Sequence, residues 1–219
     1  MKLSMKLKDI TTKPIYCKSC MNEVKSSQFR YLSERKLLLC DDCISQIKKK
    51  MSIKDVFGIK TMFLSEYDGI MKSWLMNFKE YGDIELAGCF LYVFLPFVKV
   101  YFQDYVFLPL PSSKNRIEKR GFSHLPEILR ASGLDYLDVF ISESLSEQKE
   151  KKGSHRNDDR HISLIDLKEK LLGKKVVLFD DVMTSGSTFE QSLHALSCVP
   201  LKKVKGLILM DNLNHGKIG

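Results

Sequence analysis

The stretch that most constrains the fold of this chain runs from Lys174 to Gln191. Its four consecutive apolar residues, Val176 to Phe179, predict a buried parallel strand. Two carboxylates and a hydroxyl-rich loop around a glycine follow directly, and a helix is expected to begin near Phe189. In open α/β sheets, ligands bind beyond the carboxyl ends of the strands, beside the positive end of the following helix. The stretch therefore predicts an anion site at the edge of a parallel sheet.

The side chains of this loop divide into two chemical groups. Asp180 and Asp181 can accept hydrogen bonds from sugar hydroxyls or hold a Mg²⁺ ion that bridges to a diphosphate, whereas the residues after them offer donors to phosphate oxygens. The candidate residues for a ribose 5-phosphate site are Asp180, Asp181, Val182, Met183, Thr184, Ser185, Gly186, Ser187 and Thr188. This run resembles the phosphoribosyl diphosphate motif of type I phosphoribosyltransferases. The alternative is a strand that ends in a polar turn before a helix.

Two Cys-x-x-C pairs lie near the start of the chain. The four cysteines are Cys17, Cys20, Cys40 and Cys43. This spacing is typical of sites in which four thiolates hold one structural Zn²⁺ ion, and a module this small has little core without its metal. Disulfides or a redox-active pair are the alternatives, but a reducing compartment disfavours disulfides, and redox chemistry needs only one pair. The N-terminus has no apolar segment of the kind found in signal peptides, so a cytoplasmic location and no transmembrane segment are expected.

The positive charge is concentrated in the first quarter of the chain. The net charge is +8, and residues 1–60 hold 14 Lys and Arg against 6 Asp and Glu, whereas the remainder is balanced at 21 against 21. A basic segment joined to a neutral domain indicates a polyanionic partner, most often nucleic acid, and a merely solvated basic face is the alternative. Lys48 to Lys50 are interpreted as the end of a short helix that leads into a linker.

The remaining pattern predicts strands that alternate with helices. Strands are expected at Met62 to Leu64, Val106 to Leu108, Tyr136 to Ile141 and Val204 to Met210, with a return to the sheet near Ile162. Helices are expected around Ile70 to Phe78, where Trp74 belongs to the core, at Leu86 to about Val100, from Leu125, and at Phe189 to Ser197. The predicted fold is α/β with a mostly parallel, doubly wound sheet. We expect a zinc-binding module and linker at residues 1–58 and a phosphoribosyltransferase-like domain at residues 59–219.

Two further basic stretches are candidates for the ligand site. Residues 114–124 are expected to form a basic loop after a predicted strand, which could clamp a diphosphate or could be a solvated face. The candidates for a diphosphate loop are Pro111, Ser112, Lys114, Arg116 and Arg120. Residues 142–160 are polar and without apolar periodicity, which is typical of a lid over a site or of a disordered loop.

Taken together, these motifs resemble the ComF family of competence proteins over nearly the whole chain. The resemblance rests on the four cysteines, on the stretch from Pro109 to Phe122 with its Arg-Gly-Phe end, and on the motif from Asp180 to Thr188. It departs from the family at Ser123 and His124, where Asn-Gln is common. The family implies a cytoplasmic role in the uptake of transforming single-stranded DNA beside a helicase-like ATPase, ComFA, which could also bring the protein to the membrane periphery.

Three functions therefore compete. The first is a competence protein that binds single-stranded DNA and has a phosphoribosyl diphosphate-type site, and its candidate DNA contacts are Lys18, Lys25, Arg30, Arg35, Lys36, Lys119, Arg120, Lys149, Lys152 and Arg156. The second is an active phosphoribosyltransferase that uses Mg²⁺, for which no base-recognition element can be identified in the sequence. The third is a docking platform for the ATPase, formed by the zinc module.

Overall fold

A five-stranded, mostly parallel sheet forms the centre of the molecule. The structure is a computed structural model that describes residues 14–24, 37–144, 160–164 and 168–212. The strands are β1 (Lys49–Val56), β2 (Ile59–Glu66), β3 (Tyr105–Pro109), β4 (Phe140–Ser144), β5 (Arg160–Leu164), β6 (Lys175–Met183) and β7 (Lys203–Asp211). The central sheet has the order β1-β2-β7-β6-β3, in which β2, β7, β6 and β3 are parallel and β1 is antiparallel at the edge. The predicted fold class is confirmed.

Helices cover this sheet and connect its strands. They are α1 (Asp41–Ser45), α2 (Gly69–Glu80), α3 (Leu95–Tyr101), α4 (Lys114–Arg120), α5 (His124–Ala131) and α6 (Ser187–Leu196), with 3-10 turns at Ile84–Cys89 and Lys168–Leu171. The amphipathic helix expected around Trp74 is confirmed as α2, and Trp74 is buried in the core. No helix in the described ranges is both long and apolar enough to cross a membrane.

The central strand β6 is longer than its apolar run. Val176 to Phe179 are fully buried, as expected for a parallel strand covered on both faces, but the strand continues to Met183. Asp180 and Asp181 therefore belong to the sheet and not to the loop, because β7 pairs with β6 as far as Met183. A backbone fixed by this pairing holds the two carboxylates on opposite faces of the strand.

The interpretation of Lys48 to Lys50 as a helix end is wrong. Helix α1 ends at Ser45, and Lys49 begins β1, which forms an antiparallel hairpin with β2. Nearly every side chain of β1 is at least partly exposed, so this edge strand lacks the apolar alternation by which strands are predicted. The expected boundary between residues 58 and 59 falls in the turn of this hairpin.

Two other expectations about helices are corrected. The region from Leu86 to Val100 is divided, because α3 begins only at Leu95 with Pro96 in its first turn, where proline is tolerated. The expected basic loop at residues 114–124 contains α4. Helix α4 buries none of its side chains and therefore has no apolar stripe, and it ends at Gly121 in the left-handed conformation.

Between α5 and β6, the described chain joins the central sheet through one isolated bridge. Tyr136 makes an isolated parallel bridge with Phe107, whereas β4 and β5 pair with each other as a separate antiparallel ribbon. The expected strand at Tyr136 to Ile141 thus meets β3 at Tyr136, but its last two residues belong to β4. The expected return to the sheet near Ile162 is wrong, because Ile162 pairs with Ser142 of β4. An apolar run of this length predicts a strand, but it does not predict which neighbouring strand pairs with it. The residues between β4 and β5, which carry the expected lid, lie outside the described part of the chain.

Candidate functional site at the carboxyl edge of the sheet

Two adjoining cavities lie where β3 and β6 end. Their volumes are about 360 and 200 Å³, and both are lined by Pro111, Arg116, Thr184 and Thr188. The two parallel strands bring these residues to one edge, although about 70 positions separate them in the sequence. The shared lining makes the two cavities parts of one elongated site.

The larger cavity has an acidic and an apolar side. Its acidic lining residues are Glu80, Asp180 and Asp181. The apolar side comes mainly from α2, from the loop after β3 and from α5, and consists of Leu75, Met76, Leu110 and Leu125 with the ring of Tyr67. Such a lining can receive a polar group and a flat apolar group next to each other.

The smaller cavity is lined mainly by hydroxyl groups. Its hydroxyl-bearing residues are Ser142, Thr184, Ser185, Ser187 and Thr188. Helix α6 begins at Ser187, so the positive end of its dipole and its first N–H groups lie at this cavity. The ribbon closes the opposite side, because Ser142 of β4 and its cross-strand partner Ile162 of β5 both line it. The arrangement suits an anion that carries several oxygen atoms.

Gly186 shapes the loop between β6 and α6. Its φ of +76° is in the left-handed region, where glycine is favoured, and a Cβ atom there would lie 2.8 Å from Cε2 of Phe57. Phe57 is in the turn of the β1–β2 hairpin and also stacks on Phe189 of α6, with ring centroids 6.5 Å apart. The hairpin therefore supports the hydroxyl-rich loop from behind.

Asp181 is the centre of a buried polar chain. Its side chain is 5% exposed, and its Oδ2 pairs with the ammonium group of Lys79, at the end of α2, and lies 2.9 Å from Nε2 of His124. Nδ1 of His124 lies 3.1 Å from the hydroxyl of Ser112 in the loop after β3. Asp181 thus connects α2, α5 and the loop after β3 at the floor of the larger cavity.

The two aspartates have opposite pKa shifts. Burial and the neighbouring charge of Asp181 raise the pKa of Asp180 to about 8. Burial also opposes ionisation of Asp181, but His124 and Lys79 outweigh it and hold the pKa of this carboxyl well below its ordinary range. Burial lowers the pKa of His124, so a neutral imidazole is favoured there. Lys79 is therefore the cation that compensates the buried charge of Asp181.

The predicted ligand residues largely meet at this site. Of the nine motif residues, all but Met183 and Gly186 line one of the cavities, and these two are buried. Of the five diphosphate candidates, Pro111, Ser112 and Arg116 line the larger cavity. Lys114 is exposed in the first turn of α4 and lines neither cavity. Arg120 donates through Nε to the carbonyl of Lys79 at 3.0 Å, which joins α4 to α2.

Three of the ten candidate DNA contacts lie in the described part of the chain, and each of them makes contacts within the protein. Lys18 pairs with Glu85, and Lys119 is exposed with its ammonium group 3.5 Å from Glu80. Arg120 is partly buried against Phe122 as well as α2. The remaining candidates lie outside the described residues and are Lys25, Arg30, Arg35, Lys36, Lys149, Lys152 and Arg156.

The four cysteines form a compact cluster away from the cavities. The Sγ atoms of Cys17, Cys20, Cys40 and Cys43 all lie within 4.8 Å of one another, and those of Cys20 and Cys40 are 3.6 Å apart. Tetrahedral coordination with Zn–S bonds of about 2.3 Å requires S···S separations of about 3.8 Å, so the cluster could bind a metal ion. Backbone N–H groups outweigh the effect of burial and lower the pKa of Cys17 to about 7, which favours a thiolate.

Three residues of the site were not predicted from the sequence. In the sequence, His124 stands out only as a departure from the family pattern, and neither Lys79 nor Phe57 stands out at all. A helix-ending lysine and a turn phenylalanine carry no local signal for a binding site. One hint was available for Lys79, because a buried acid pair in a neutral domain needs a cation nearby.

Comparisons with known proteins agree with this geometry. Residues 117–217 match the model of the phosphoribosyl transferase domain. The competence protein ComFC of Streptococcus pneumoniae (strain ATCC BAA-255 / R6) is 25% identical over 198 residues, which are 89% of this chain and 80% of the relative. ComFC of Bacillus subtilis (strain 168) is 30% identical over 166 residues, which are 72% of this chain and 65% of that protein. The chain is a ComFC-like protein. It contains a phosphoribosyltransferase-like domain, as the sequence motif predicted.

Solved phosphoribosyltransferases resemble part of this ComFC-like chain. A hypoxanthine-guanine phosphoribosyltransferase of Bacillus anthracis str. 'Ames Ancestor' superposes with a TM-score of 0.38 at 17% identity, covering 62% of this chain and 75% of that one. A hypoxanthine phosphoribosyltransferase of Staphylococcus aureus gives 0.37 at 14% identity, with 61% and 68% covered.

Proposed function

We propose that this ComFC-like protein aids the uptake of transforming DNA in the cytoplasm by binding single-stranded DNA, and that its two cavities bind a phosphoribosyl diphosphate group. The main support for the binding site is that an acid-lined cavity adjoins a hydroxyl-lined cavity, and that Arg116 and Thr184 line both cavities. A sugar phosphate has hydroxyls at one end and an anion at the other, which is the same division of chemistry.

Each part of the ligand has a matching part of the site. The 5-phosphate occupies the smaller cavity, where the N-terminus of α6 and the loop hydroxyls donate to its oxygens. The ribose hydroxyls donate to Asp180, which is the half-buried acid of the pair. The diphosphate extends toward Ser112 and Arg116, since a guanidinium group binds phosphate oxygens through paired hydrogen bonds.

Mg²⁺ is the cation that fits the acidic side. It prefers carboxylate and phosphate oxygens and is usually held by one or two carboxylates together with substrate phosphates. Asp180 would supply such a carboxylate once the ion displaces its proton, whereas Asp181 is already compensated by Lys79. The ion would neutralise the charge of the diphosphate, because few cationic side chains line the cavity.

Calorimetric titration of phosphoribosyl diphosphate with Mg²⁺ tests the site. The unaltered protein should bind, and Asp180→Asn and Arg116→Gln should each weaken binding at least tenfold, because each loses a charge-assisted contact of about 1.5–3 kcal/mol. Asp104→Asn is the matched control, since this acid is exposed on a turn outside both cavities. Equal affinities for all four proteins would refute the proposed site.

Binding of single-stranded DNA is the second part of the proposal. The excess of positive charge and the similarity to ComFC proteins support it. Because phosphate contacts release counterions, the affinity should fall steeply as salt increases. An affinity for single-stranded DNA that does not change with salt concentration, or no binding of the DNA at low salt, would contradict this part of the proposal. Competition by phosphoribosyl diphosphate would place the DNA in the cavities, and its absence would place the DNA elsewhere.

Zinc and a protein partner complete the proposed role. The cysteine cluster holds a structural Zn²⁺ ion, whose four thiolate ligands it can supply. A helicase-like ATPase related to ComFA is the expected partner in the uptake machinery, and it would bring the protein to the membrane periphery.

Phosphoribosyl transfer is the second candidate function. The apolar side of the larger cavity, formed by Tyr67, Met76 and Leu110, favours it because a flat base could lie beside the ribose there. Catalysis would consist of positioning the ribose and stabilising the departing diphosphate. Release of diphosphate with a panel of bases, lost in Asp180→Asn, would support turnover. No release with any base would leave binding as the function of the site.

A third candidate is a docking surface on the cysteine module. Tyr16 and Met21 are 54% and 68% exposed there, which suits a protein partner better than a phosphate backbone. Capture of the ATPase by the full chain that survives nuclease treatment and is lost in the double variant Tyr16→Ser, Met21→Ser would support it. Capture that the double variant retains would contradict it.

A further inference from the structure

A surface rich in lysine and aromatic residues lies at the opposite edge of the sheet from the cavities. The strands β3, β6 and β7 begin there, next to α3. We call it the lysine-aromatic face and define it by Phe97, Tyr101, Tyr105, Lys175, Lys203 and Lys205. None of these residues lines either cavity.

The face is continuous because its residues are paired across the sheet. Tyr105 of β3 is in register with Lys175 of β6, which is in register with Lys203 of β7. Residues in register on neighbouring strands point to the same side. Lys205, two positions after Lys203, is on that side too, with Nζ 3.8 Å from the centroid of the Tyr101 ring.

Aromatic rings make up the outer part of the face. Phe97 and Tyr101 are one turn apart on α3 and stack with centroids 5.6 Å apart and ring planes at 17°. Phe97 is 40% exposed, which leaves a flat apolar surface open to solvent. An exposed ring beside ammonium groups is the arrangement on which nucleic-acid bases stack while phosphates are neutralised.

The lysines of this face have few acidic partners. Lys175 and Lys203 are directly opposite each other, which is an unfavourable pairing of like charges in a sheet. Lys174 and Lys202 add two more cations beside them. Among the described residues, the acid within ion-pair distance of these five lysines is Asp104, 3.7 Å from Lys175. An anionic ligand would relieve this repulsion.

The described lysines of the basic N-terminal quarter are differently placed. Lys18, Lys48 and Lys54 pair with Glu85, Asp68 and Asp211, which all belong to the later part of the chain. Lys50 also pairs with Glu66. These cations are used to join segments of the protein. These four lysines are therefore less available to an external polyanion than the five lysines at the lysine-aromatic face.

We propose that the lysine-aromatic face binds single-stranded nucleic acid, with bases stacked on Phe97 and phosphates held by Lys175, Lys203 and Lys205. The proposal rests on the DNA-binding part of the proposed function and assigns that binding to a surface away from the cavities. Strand β6 has nine residues, so about 26 Å separates its lysine end from its ligand end. A single strand is the expected ligand because bases in a duplex are stacked on each other and cannot stack on a protein ring.

Fluorescence anisotropy with a labelled oligothymidylate tests this assignment through two separate signatures. The double variant Lys175→Gln, Lys203→Gln should bind at least fivefold more weakly at low salt, and the slope of log affinity against log salt should become shallower by about 1.4, since each contact to a single strand contributes about 0.7. Phe97→Ala should lower the affinity at least about fivefold with an unchanged salt slope, because stacking releases no counterions.

Matched controls separate the face from general effects of charge and folding. Lys60→Gln removes an exposed lysine in the β1–β2 hairpin, and Ile53→Ala removes an exposed apolar side chain there. Both should bind the oligonucleotide like the unaltered protein. All four variants should keep the calorimetric affinity for phosphoribosyl diphosphate, whose site is at the other edge.

The outcomes distinguish this proposal from the proposed function. An unaltered protein that binds the oligonucleotide, with variants of the face that bind it equally well, would overturn the assignment and leave DNA binding intact. Absence of binding by the unaltered protein would overturn both. If the variants lost binding to phosphatidylglycerol vesicles but not to the oligonucleotide, the face would be a membrane surface and the proposal would be wrong. If the variants of the face also lost phosphoribosyl diphosphate binding, the face would be a structural element and the proposal would be wrong.

Discussion

At the residue scale, the two neighbouring aspartates of β6 have separate tasks. Asp181 is buried and compensated by Lys79, and it joins three elements beneath the larger cavity. Asp180 is half-buried, has a raised pKa and lines the cavity. Groups whose environments move their pKa values apart are typical of functional sites. We therefore propose that Asp181 has a structural role and that Asp180 binds the ligand.

The raised pKa of Asp180 predicts a pH-dependent cost to stability. Between about pH 4 and the folded value, the folded state holds a proton that the unfolded chain has lost, so the free energy of unfolding falls as pH rises. Asp180→Asn cannot ionise and should be more stable than the unaltered protein at about pH 8, by about 1 kcal/mol after allowing for partial exposure. The two proteins should have equal stability near pH 4, as measured by urea unfolding in Mg²⁺-free buffer. A variant that is less stable at the higher pH would disprove the assignment.

Gly186 offers a second test at this scale. Gly186→Ala should cost about 1–2 kcal/mol through its left-handed backbone and the close approach of Phe57, and it should weaken phosphoribosyl diphosphate binding because the loop shifts. Gly173→Ala is the matched control, since its φ is +65° but no atom lies within 4 Å of the added Cβ. The control should lose stability and keep binding. Equal binding losses in both would contradict the role of the Gly186 contact.

At the element scale, the β1–β2 hairpin supports the ligand loop. It is an edge element whose turn places Phe57 against Gly186 and Phe189. Lys54 of β1 pairs with the buried Asp211 at the end of β7, 2.6 Å away, which holds the hairpin at the carboxyl edge. The hairpin therefore contributes to a cavity that it does not line.

Phe57→Ala tests this support. The variant should lose about 1–2 kcal/mol of stability, since the ring is only partly buried, and it should weaken phosphoribosyl diphosphate binding several-fold without touching the ligand. Thermal unfolding and calorimetric titration measure the two effects. Ile53→Ala on β1 should change neither, because that side chain is 53% exposed. Unchanged binding in Phe57→Ala would show that the loop holds its shape without the hairpin.

At the scale of the whole molecule, the cysteine module and the phosphoribosyltransferase-like domain are packed together. Trp74 of α2 donates to the hydroxyl of Ser19 between the first cysteine pair, at 2.7 Å. Leu38 packs against Gly88, and Lys18 pairs with Glu85 of the 3-10 turn. Helix α2 extends from this contact to Lys79 at the cavity, so the two sites share one rigid element.

Metal removal should therefore affect the whole chain. The protein should contain one Zn²⁺ ion per chain by elemental analysis, and a chelator should lower its melting temperature and weaken phosphoribosyl diphosphate binding through α2. Cys40→Ser should lose the metal, whereas Cys198→Ser, an exposed cysteine outside the cluster, should retain it. A chelated protein with unchanged melting and binding would show that the module is independent of the domain.

The sequence by itself determined the parts of this protein whose signal is local. The apolar run of β6 with its acids and hydroxyls predicted a strand, a loop and a helix in the right order, although the strand includes the two acids, and most of the motif does line the cavities. The spacing of the cysteines predicted a cluster that is present. In both cases residues close in sequence define the geometry, because a strand must end where polar residues leave it and a two-residue spacer fixes a knuckle.

Only the tertiary structure decided which distant residues complete these sites. Lys79 meets Asp181 across about 100 positions, Phe57 meets Gly186 across the sheet, and Lys175 faces Lys203 from a neighbouring strand. Such contacts follow from strand order and register, which the local pattern does not encode, and the exposed β1 carried no signal even for its own strand. The motif predicted the chemistry of the ligand. The fold determined which cation compensates the acids of β6 and where the lysine-aromatic face lies. Both depend on which chain segments are brought together.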